Sequence, residues 1–423
     1  MLRRLQIIAV AAILVVAAFS TGADFLFFLL YLAILVVGGS YVLTRLGLSD
    51  LEAGFTLDRV QAQVGDVMRA TYTVRNTSRL PKLWLEISNP SALPVPLPGR
   101  AVTLESRAER TWSARVPLLR RGHFRVDPML IRTGDPFGFF EASASVGTGA
   151  TVIVYPRLES LPGWRLPAAF MEGSQARPER TLQSTPLVTS VRPYVTGDAF
   201  NRIHWKSSAR QQELQVKEFD LEQTADVWVF LDLHRTVHAG EGDFSTLEMG
   251  VRAAASIAAK ALLENRTVGL TASGKRSTVL SADRGGRQHQ KVMHLLAAVE
   301  ADGNDPFVEG LVQGLPLLRR GMTAVAITPS TDRDWVRPLS ALRGRGVAPV
   351  VCLLDAVGFE QATRAAVGEA PLSTVDADDR MRAGRAIRHA LAEFDLTVFE
   401  VLPDRSLGES LASVEVATRA GRL

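Results

Sequence analysis

Val227-Trp228-Val229-Phe230-Leu231-Asp232-Leu233-His234-Arg235-Thr236 opens the part of the chain from which the fold is read. Its first five residues are β-branched, aromatic or aliphatic with no polar alternation, the pattern of a strand covered on both faces. Next comes Thr246–Glu264, where Leu247, Val251, Ala254, Ile257 and Ala261 share one helical stripe. Strands then alternate with helices. A strand is expected over Val268–Thr271, a helix over Arg287–Glu300, a strand over Thr323–Thr328 and a helix over Trp335–Arg343. A strand over Ala348–Leu354, a helix over Asp379–Phe394 and a strand over Thr397–Leu402 complete the series. Repeated strand–helix units of this kind predict an α/β domain over 226–423, with a mainly parallel sheet between helices.

The chain ahead of it, 158–225, reads as a connector, because Pro162, Pro167, Pro178 and Pro186 interrupt Leu161–Ser190 without any clear period. Further toward the N-terminus, 52–157, the period falls to two. Met68, Ala70, Tyr72 and Val74 share one face of a strand, as do Leu83, Leu85 and Ile87, and again Trp112, Ala114 and Val116. Turn residues at Gly65-Asp66, Asn76-Thr77-Ser78, Asn89-Pro90, Gly122 and Gly134-Asp135-Pro136 punctuate them. An all-β, antiparallel, sandwich-like domain of about seven strands is expected, with no helix interrupting it.

At the N-terminus, 1–46, Leu5–Ala23 and Phe25–Thr44 carry no charge and would each form a helix of about 30 Å, the thickness of bilayer hydrocarbon. Two transmembrane helices in a hairpin about Asp24 are expected. Arg3, Arg4 and Arg45 flank the pair, while Ser20–Asp24 has no positive charge, which places both termini in the cytoplasm and the protein in the cell membrane. The rival is a cleaved signal peptide, in which Arg3-Arg4, the apolar stretch and Thr21-Gly22-Ala23 form the three regions; Phe25–Thr44 would still be long enough to span.

Composition excludes several classes. The formal charge is only +4, with basic and acidic residues interspersed, so no nucleic-acid track is expected. The single cysteine, Cys352, sits in an apolar run, which rules out an internal disulfide and every zinc site built on paired cysteines. Gly269-Leu270-Thr271-Ala272-Ser273-Gly274-Lys275 has the spacing of a phosphate loop, but Arg276 stands where a hydroxyl is needed and Ser277–Leu280 reads as a strand. A hairpin turn is expected there. No Gly-x-Ser-x-Gly elbow occurs, so no catalytic residue, cofactor or cofactor-binding residue is expected.

Arg192-Pro193-Tyr194-Val195-Thr196-Gly197-Asp198-Ala199-Phe200-Asn201-Arg202-Ile203-His204-Trp205-Lys206-Ser207-Ser208-Ala209-Arg210 resembles the signature of the domain of unknown function 58 family. In its own terms, Asp198 can cap a helix after Gly197, placing Asp198, Arg202 and Lys206 at successive i,i+4 positions. Arg192, Tyr194, Trp205 and Arg210 surround that ladder. The composition is that of an interface hot spot, and equally of charges that tie the connector to the following domain.

The resemblance implies a C-terminal fold similar to a von Willebrand factor type A (Rossmann-like) domain, in which the first strand ends in Asp-x-Ser-x-Ser and binds a divalent ion. Here the strand ends Asp232-Leu233-His234-Arg235-Thr236, with His234 replacing a hydroxyl, and Pro329-Ser330 standing where a second aspartate is expected. Magnesium prefers oxygen, so a degenerate site of Asp232, His234 and Thr236 without metal is expected. A transition-metal site would add His238. The resemblance also implies a partner, an AAA+ ATPase of the MoxR type. The function expected is a membrane-tethered, non-enzymatic adaptor or scaffold in protein assembly or envelope maintenance. A metal-dependent enzyme centred on the Asp232 loop, or a structural spacer in a membrane complex, are the alternatives.

Overall fold

The computed structural model describes residues 2–164, 188–195, 200, 203–219, 226–275 and 277–412. Two compact units emerge, one built from residues up to Arg157 together with Met293–Ala298, the other from the remainder.

The first unit begins with helices α1 (Leu2–Thr21) and α2 (Asp24–Gly47). Asp24 lies in the first turn of α2 and Arg45 in its last, each matched to the sign of the helix dipole. Among the described residues one helix, α2, is long and apolar enough to cross a membrane, with a mean hydropathy of 2.4. The other expected span, Leu5–Ala23, falls on α1. α1 ends at Thr21, where Gly22 takes a left-handed φ of +64°, and Ala9–Thr21 is apolar.

Ten strands follow: β1 (Leu51–Leu57), β2 (Gln61–Gln63), β3 (Val67–Asn76), β4 (Lys82–Ser88), β5 (Arg100–Leu104), β6 (Glu109–Pro117), β7 (Gly122–Val126), β8 (Met129–Gly134), β9 (Glu141–Val146) and β10 (Ala150–Tyr155). They form three sheets, β1-β3-β6, β5-β4-β8-β9 and β2-β10-β7, antiparallel except for the β2–β10 pair. That is three more strands than expected. Met68, Ala70, Tyr72 and Val74 of β3, Leu85 and Ile87 of β4, and Val152 and Val154 of β10 meet in one core. Alternation puts them there, since every second side chain of a strand faces the same way. Leu83 departs from it. The β4–β5 register shifts between Lys82 and Leu85, and this bulge buries Lys82 while leaving Leu83 63% and Trp84 44% exposed.

In the second unit β11 (Val188–Pro193) and β12 (Gln215–Phe219) form an antiparallel pair with α3 (Trp205–Gln211) between them in sequence. The main sheet then alternates with helices: β13 (Val227–Asp232), α4 (Thr246–Leu263), β14 (Val268–Ser273), β15 (Ser277–Asp283), α5 (Gly285–Ala298), α6 (Phe307–Gly314), β16 (Thr323–Thr328), α7 (Val336–Ala341), β17 (Ala348–Leu354), α8 (Ala356–Val367), α9 (Thr374–Glu393), β18 (Thr397–Val401) and α10 (Leu407–Ala412). Its strand order is β15-β14-β13-β16-β17-β18, parallel throughout except for edge strand β15. Every residue of β13, β14 and β16 is buried. Trp228 and Phe230 pack with Phe307, Leu311, Ile387 and Leu391 in one cluster. On α4, Gly250 lets the helix approach Leu231, Ile327 and Leu354, where a Cβ would sit 3.3–3.6 Å from their methyl groups.

Candidate functional site

In an open parallel sheet, ligands bind beyond the carboxyl ends of the strands where the order reverses, because the connections on either side diverge there and leave a crevice. Here that point lies between β13 and β16. Asp232 closes β13 and Thr328 closes β16, and the two side chains meet: the Thr328 hydroxyl donates to Asp232 Oδ2 at 2.6 Å. The backbone N–H of His234 donates to Asp232 Oδ1 at 3.0 Å. Burial pushes the Asp232 carboxyl above the usual carboxylate range, against the lowering effect of those two hydrogen bonds and the nearby His234.

The neighbouring histidines are occupied. His234 Nε2 donates to the Asn304 carbonyl at 3.1 Å, so its Nδ1 accepts from the Thr236 hydroxyl at 2.9 Å. His238 Nε2 donates to the Asp232 carbonyl at 2.9 Å, and its Nδ1 stands 3.1 Å from Thr246 Oγ1. Thus Asp232, His234 and Thr236 are brought to one loop but face different partners. Among the described residues no group of three or more His, Cys, Asp or Glu side chains is arranged to hold a metal ion. Each carboxylate oxygen of Asp232 accepts one protein hydrogen, from His234 N–H and from the Thr328 hydroxyl. Sequence reasoning missed Thr328, which only the pairing of β13 with β16 brings to Asp232.

Beside this point lies a cleft of about 890 Å³, lined among others by Thr236, Pro329, Thr331, Asp355, Arg364 and Arg380. Its arginines are paired. Arg364 and Arg380 both reach Glu360, the former at 3.3 Å, and Arg388 reaches Glu400 at 3.1 Å.

In the signature segment, α3 begins at Trp205, and the helix start expected at Asp198 lies outside the described residues. His204 caps it, accepting the Ser207 N–H on Nδ1 at 3.1 Å. Ile203 is buried and bridged to Val216 of β12, so extended pairing there displaces the continuous helix that the charged ladder required. The Ser208 hydroxyl donates to the His204 carbonyl at 3.1 Å and accepts the Gln215 N–H at 2.9 Å, tying α3 to the following strand. Sequence reasoning missed the capping role of His204, for histidine is not among the preferred caps. Trp205 and Phe200 are exposed by 66% and 69%, with the Tyr194 ring 6.1 Å from that of Phe200. Lys206 and Arg210 are exposed on α3, while Arg192 Nη1 donates to the Pro193 carbonyl at 3.1 Å. Gly197, Asp198 and Arg202 lie outside the described residues.

The class these features define is a mixed α/β chain with several sheets, an apolar N-terminal helix compatible with a membrane anchor or a signal sequence, and a short capped helix presenting an aromatic surface. The profile of the family described as "Protein of unknown function DUF58" matches residues 190–393, and the resemblance seen at Arg192–Arg210 holds across that range. The uncharacterized protein YeaD of Bacillus subtilis is 24% identical over 314 residues, 70% of this chain and 74% of YeaD. The uncharacterized protein Rv1480 of Mycobacterium tuberculosis is 26% identical over 217 residues, 48% of this chain and 68% of its own. Among solved structures, the CARDB domain of the PF1109 protein from Pyrococcus furiosus covers 25% of this chain and 92% of that domain at 13% identity; its TM-score of 0.19 carries no argument.

Proposed function

We propose that the protein is a membrane-tethered adaptor that binds a protein partner through the surface of Trp205, Phe200, Lys206 and Arg210. The observation that carries this is Trp205, two-thirds exposed on a helix whose start is held by His204 and whose end is tied to β12 through Ser208. A large aromatic kept in water on a rigid support, with an arginine and a lysine beside it, is the composition of an interface hot spot. Family resemblance supplies the partner, an AAA+ ATPase of the MoxR type, and the setting, protein assembly or envelope maintenance.

The strand order with one antiparallel edge supports a von Willebrand type A-like reading of the second unit, and the shared core of the three sheets supports a sandwich-like reading of the first. α2 would be the anchor, with α1 as its companion span and Arg3, Arg4 and Arg45 on the cytoplasmic side. Against the alternative of a metal-dependent enzyme stand the protein partners that His234 and His238 already have, the Asn304 and Asp232 carbonyls. The test is affinity capture by the tagged full-length protein in mild detergent, with and without ATP, beside a Trp205→Ala, Lys206→Ala variant of unchanged thermal stability. Recovery of an AAA+ ATPase by wild type and its loss from the variant is the expected result. Equal recovery by both would move the docking surface elsewhere, and recovery by neither would sink the proposed partner.

A further inference from the structure

The apolar stretch Phe25–Thr44 of α2 can cross the ~30 Å of bilayer hydrocarbon at ~1.5 Å per residue. The strand-rich unit packs along its last turns. Lys82 Nζ donates to the Leu46 carbonyl, and Gly47 lies so close to β8 that a Cβ there would stand 2.8 Å from Thr133 Cγ2. Ser40 and Thr44, one turn apart on α2, are buried, with the Thr44 hydroxyl donating to the Ser40 carbonyl at 2.8 Å. Tyr41 meets Phe140 edge to face at 5.6 Å.

That last contact sets a depth. Tyr41 precedes the end of the apolar stretch by one turn, about 5 Å. Phe140, in the turn between β8 and β9, therefore stands where hydrocarbon gives way to headgroups. Large apolar side chains gather around it, with the exposed Glu141 next in sequence: Phe137 is 61% exposed and stacks on Phe139 at 5.6 Å, Leu83 is 63% exposed, and Trp84 lies against Gly134. The bulge in β4 is what turns Leu83 and Trp84 outward. The backbone of the same turn is also satisfied internally, since Asp135 accepts the N–H groups of Phe137 at 2.9 Å and Phe140 at 2.6 Å. Chain entering a low-dielectric layer must meet that condition, and aromatic side chains concentrate at that depth.

We infer that the β8–β9 turn, with Leu83 and Trp84 beside it, is a second membrane contact that inserts into the interfacial layer of the bilayer; the inference rests on the reading of α2 as the anchor. The occupant of this surface is lipid at the acyl–headgroup boundary. The foot fixes the tilt and height of the strand-rich unit at the bilayer.

The test uses full-length protein in phosphatidylcholine–phosphatidylglycerol vesicles, labelled with an environment-sensitive thiol dye at Phe137→Cys, at Phe28→Cys within α2, or at Leu119→Cys on an exposed loop. Cys352 is buried, with its thiol pushed up to about 12 by burial, and stays unlabelled. With lipids brominated near the headgroup end of the acyl chains, loss of fluorescence at both Phe28 and Phe137 but not at Leu119 is expected. Quenching at Phe28 alone overturns the foot and leaves the anchor standing. Quenching at neither overturns both. A Phe137 signal that is unquenched yet shifts to the blue as protein per lipid rises would make the occupant a second copy and overturn the lipid assignment.

Discussion

Asp135 in the first unit and Asp232 in the second are built alike. Each ends or follows a strand, each is less than a tenth exposed, and each accepts the N–H of the residue two positions on. The Phe140 N–H also donates to Asp135, and the Thr328 hydroxyl to Asp232. Burial is the largest influence on both, and it acts to raise both. Yet Asp135 ends below the usual carboxylate range and Asp232 above it. The difference lies in depth and in the kind of donor. Asp135 sits in an exposed turn with two fixed amides aimed at it, while the Ser40 hydroxyl adds to the same effect. Asp232 lies between β14 and β16, which are buried at every residue, and its second donor is a hydroxyl free to rotate. Counting hydrogen bonds does not tell which charge a fold welcomes; the solvent that was given up decides.

The comparison breaks most plainly at Asp135. Asp135→Ala leaves two backbone amides without their acceptor, an expected loss of about 2–4 kcal/mol at neutral pH, read from urea unfolding of the full-length protein in detergent. Faster amide exchange at Phe137 and Phe140 should accompany it. Asp135→Asn retains one acceptor and should lose about 1–2 kcal/mol. Because the folded pKa of Asp135 lies below its unfolded value, its stabilisation is present above about pH 4 and is lost as pH falls through the folded pKa. The gap between wild type and Asp135→Asn should therefore close in acid. A gap that stays constant there would mean the charge contributes nothing. Next in size, Thr328→Val removes a donor from Asp232 and an acceptor from the Ser330 N–H, and should cost about 1–2 kcal/mol while raising the Asp232 pKa further.

What was legible before the structure follows the same division between local and distant causes. The strand Ala348–Leu354 appears with the bounds read from its apolar run, and the Met68–Val74 face is buried as its period requires. Gly269–Lys275 forms the edge of a hairpin, with Ser273 opposite Ser277. Leu83 was misread because a one-residue bulge inverts the faces of a strand and leaves no mark on composition. α6 was missed, being only eight residues, and α8 because Phe359 alone among its residues is buried, so no apolar stripe announces it. At the site, Asp232 could be picked out from its place at a strand end. Thr328 could not, since only the pairing of β13 with β16 brings it within 2.6 Å across 96 residues of chain. Likewise His204 takes over as the cap of α3 because Ile203 is drawn into pairing with Val216, a tertiary preference that local propensity does not express.

The smallest expected effect is also the sharpest test. Asp232→Asn keeps the size of the side chain, and its carbonyl can still accept the His234 N–H. Its amide would then face Thr328 Oγ1, which already accepts from the Ser330 N–H at 2.9 Å but has a second lone pair to offer once its own hydrogen turns away. A carboxyl whose folded pKa is raised binds its proton more tightly in the fold than in the unfolded chain. Its ionisation therefore erodes stability as pH climbs from about 4 through the folded value, and the deficit stays constant above it. Asparagine has no such deficit. The variant should match the wild type in acid and be as stable or more so, within about 1 kcal/mol, at neutral and alkaline pH, read from urea midpoints across the range. A variant that is instead clearly weaker above neutral pH would show that the fold depends on the carboxylate, which would erase the contrast with Asp135 and return a cation to consideration at the end of β13.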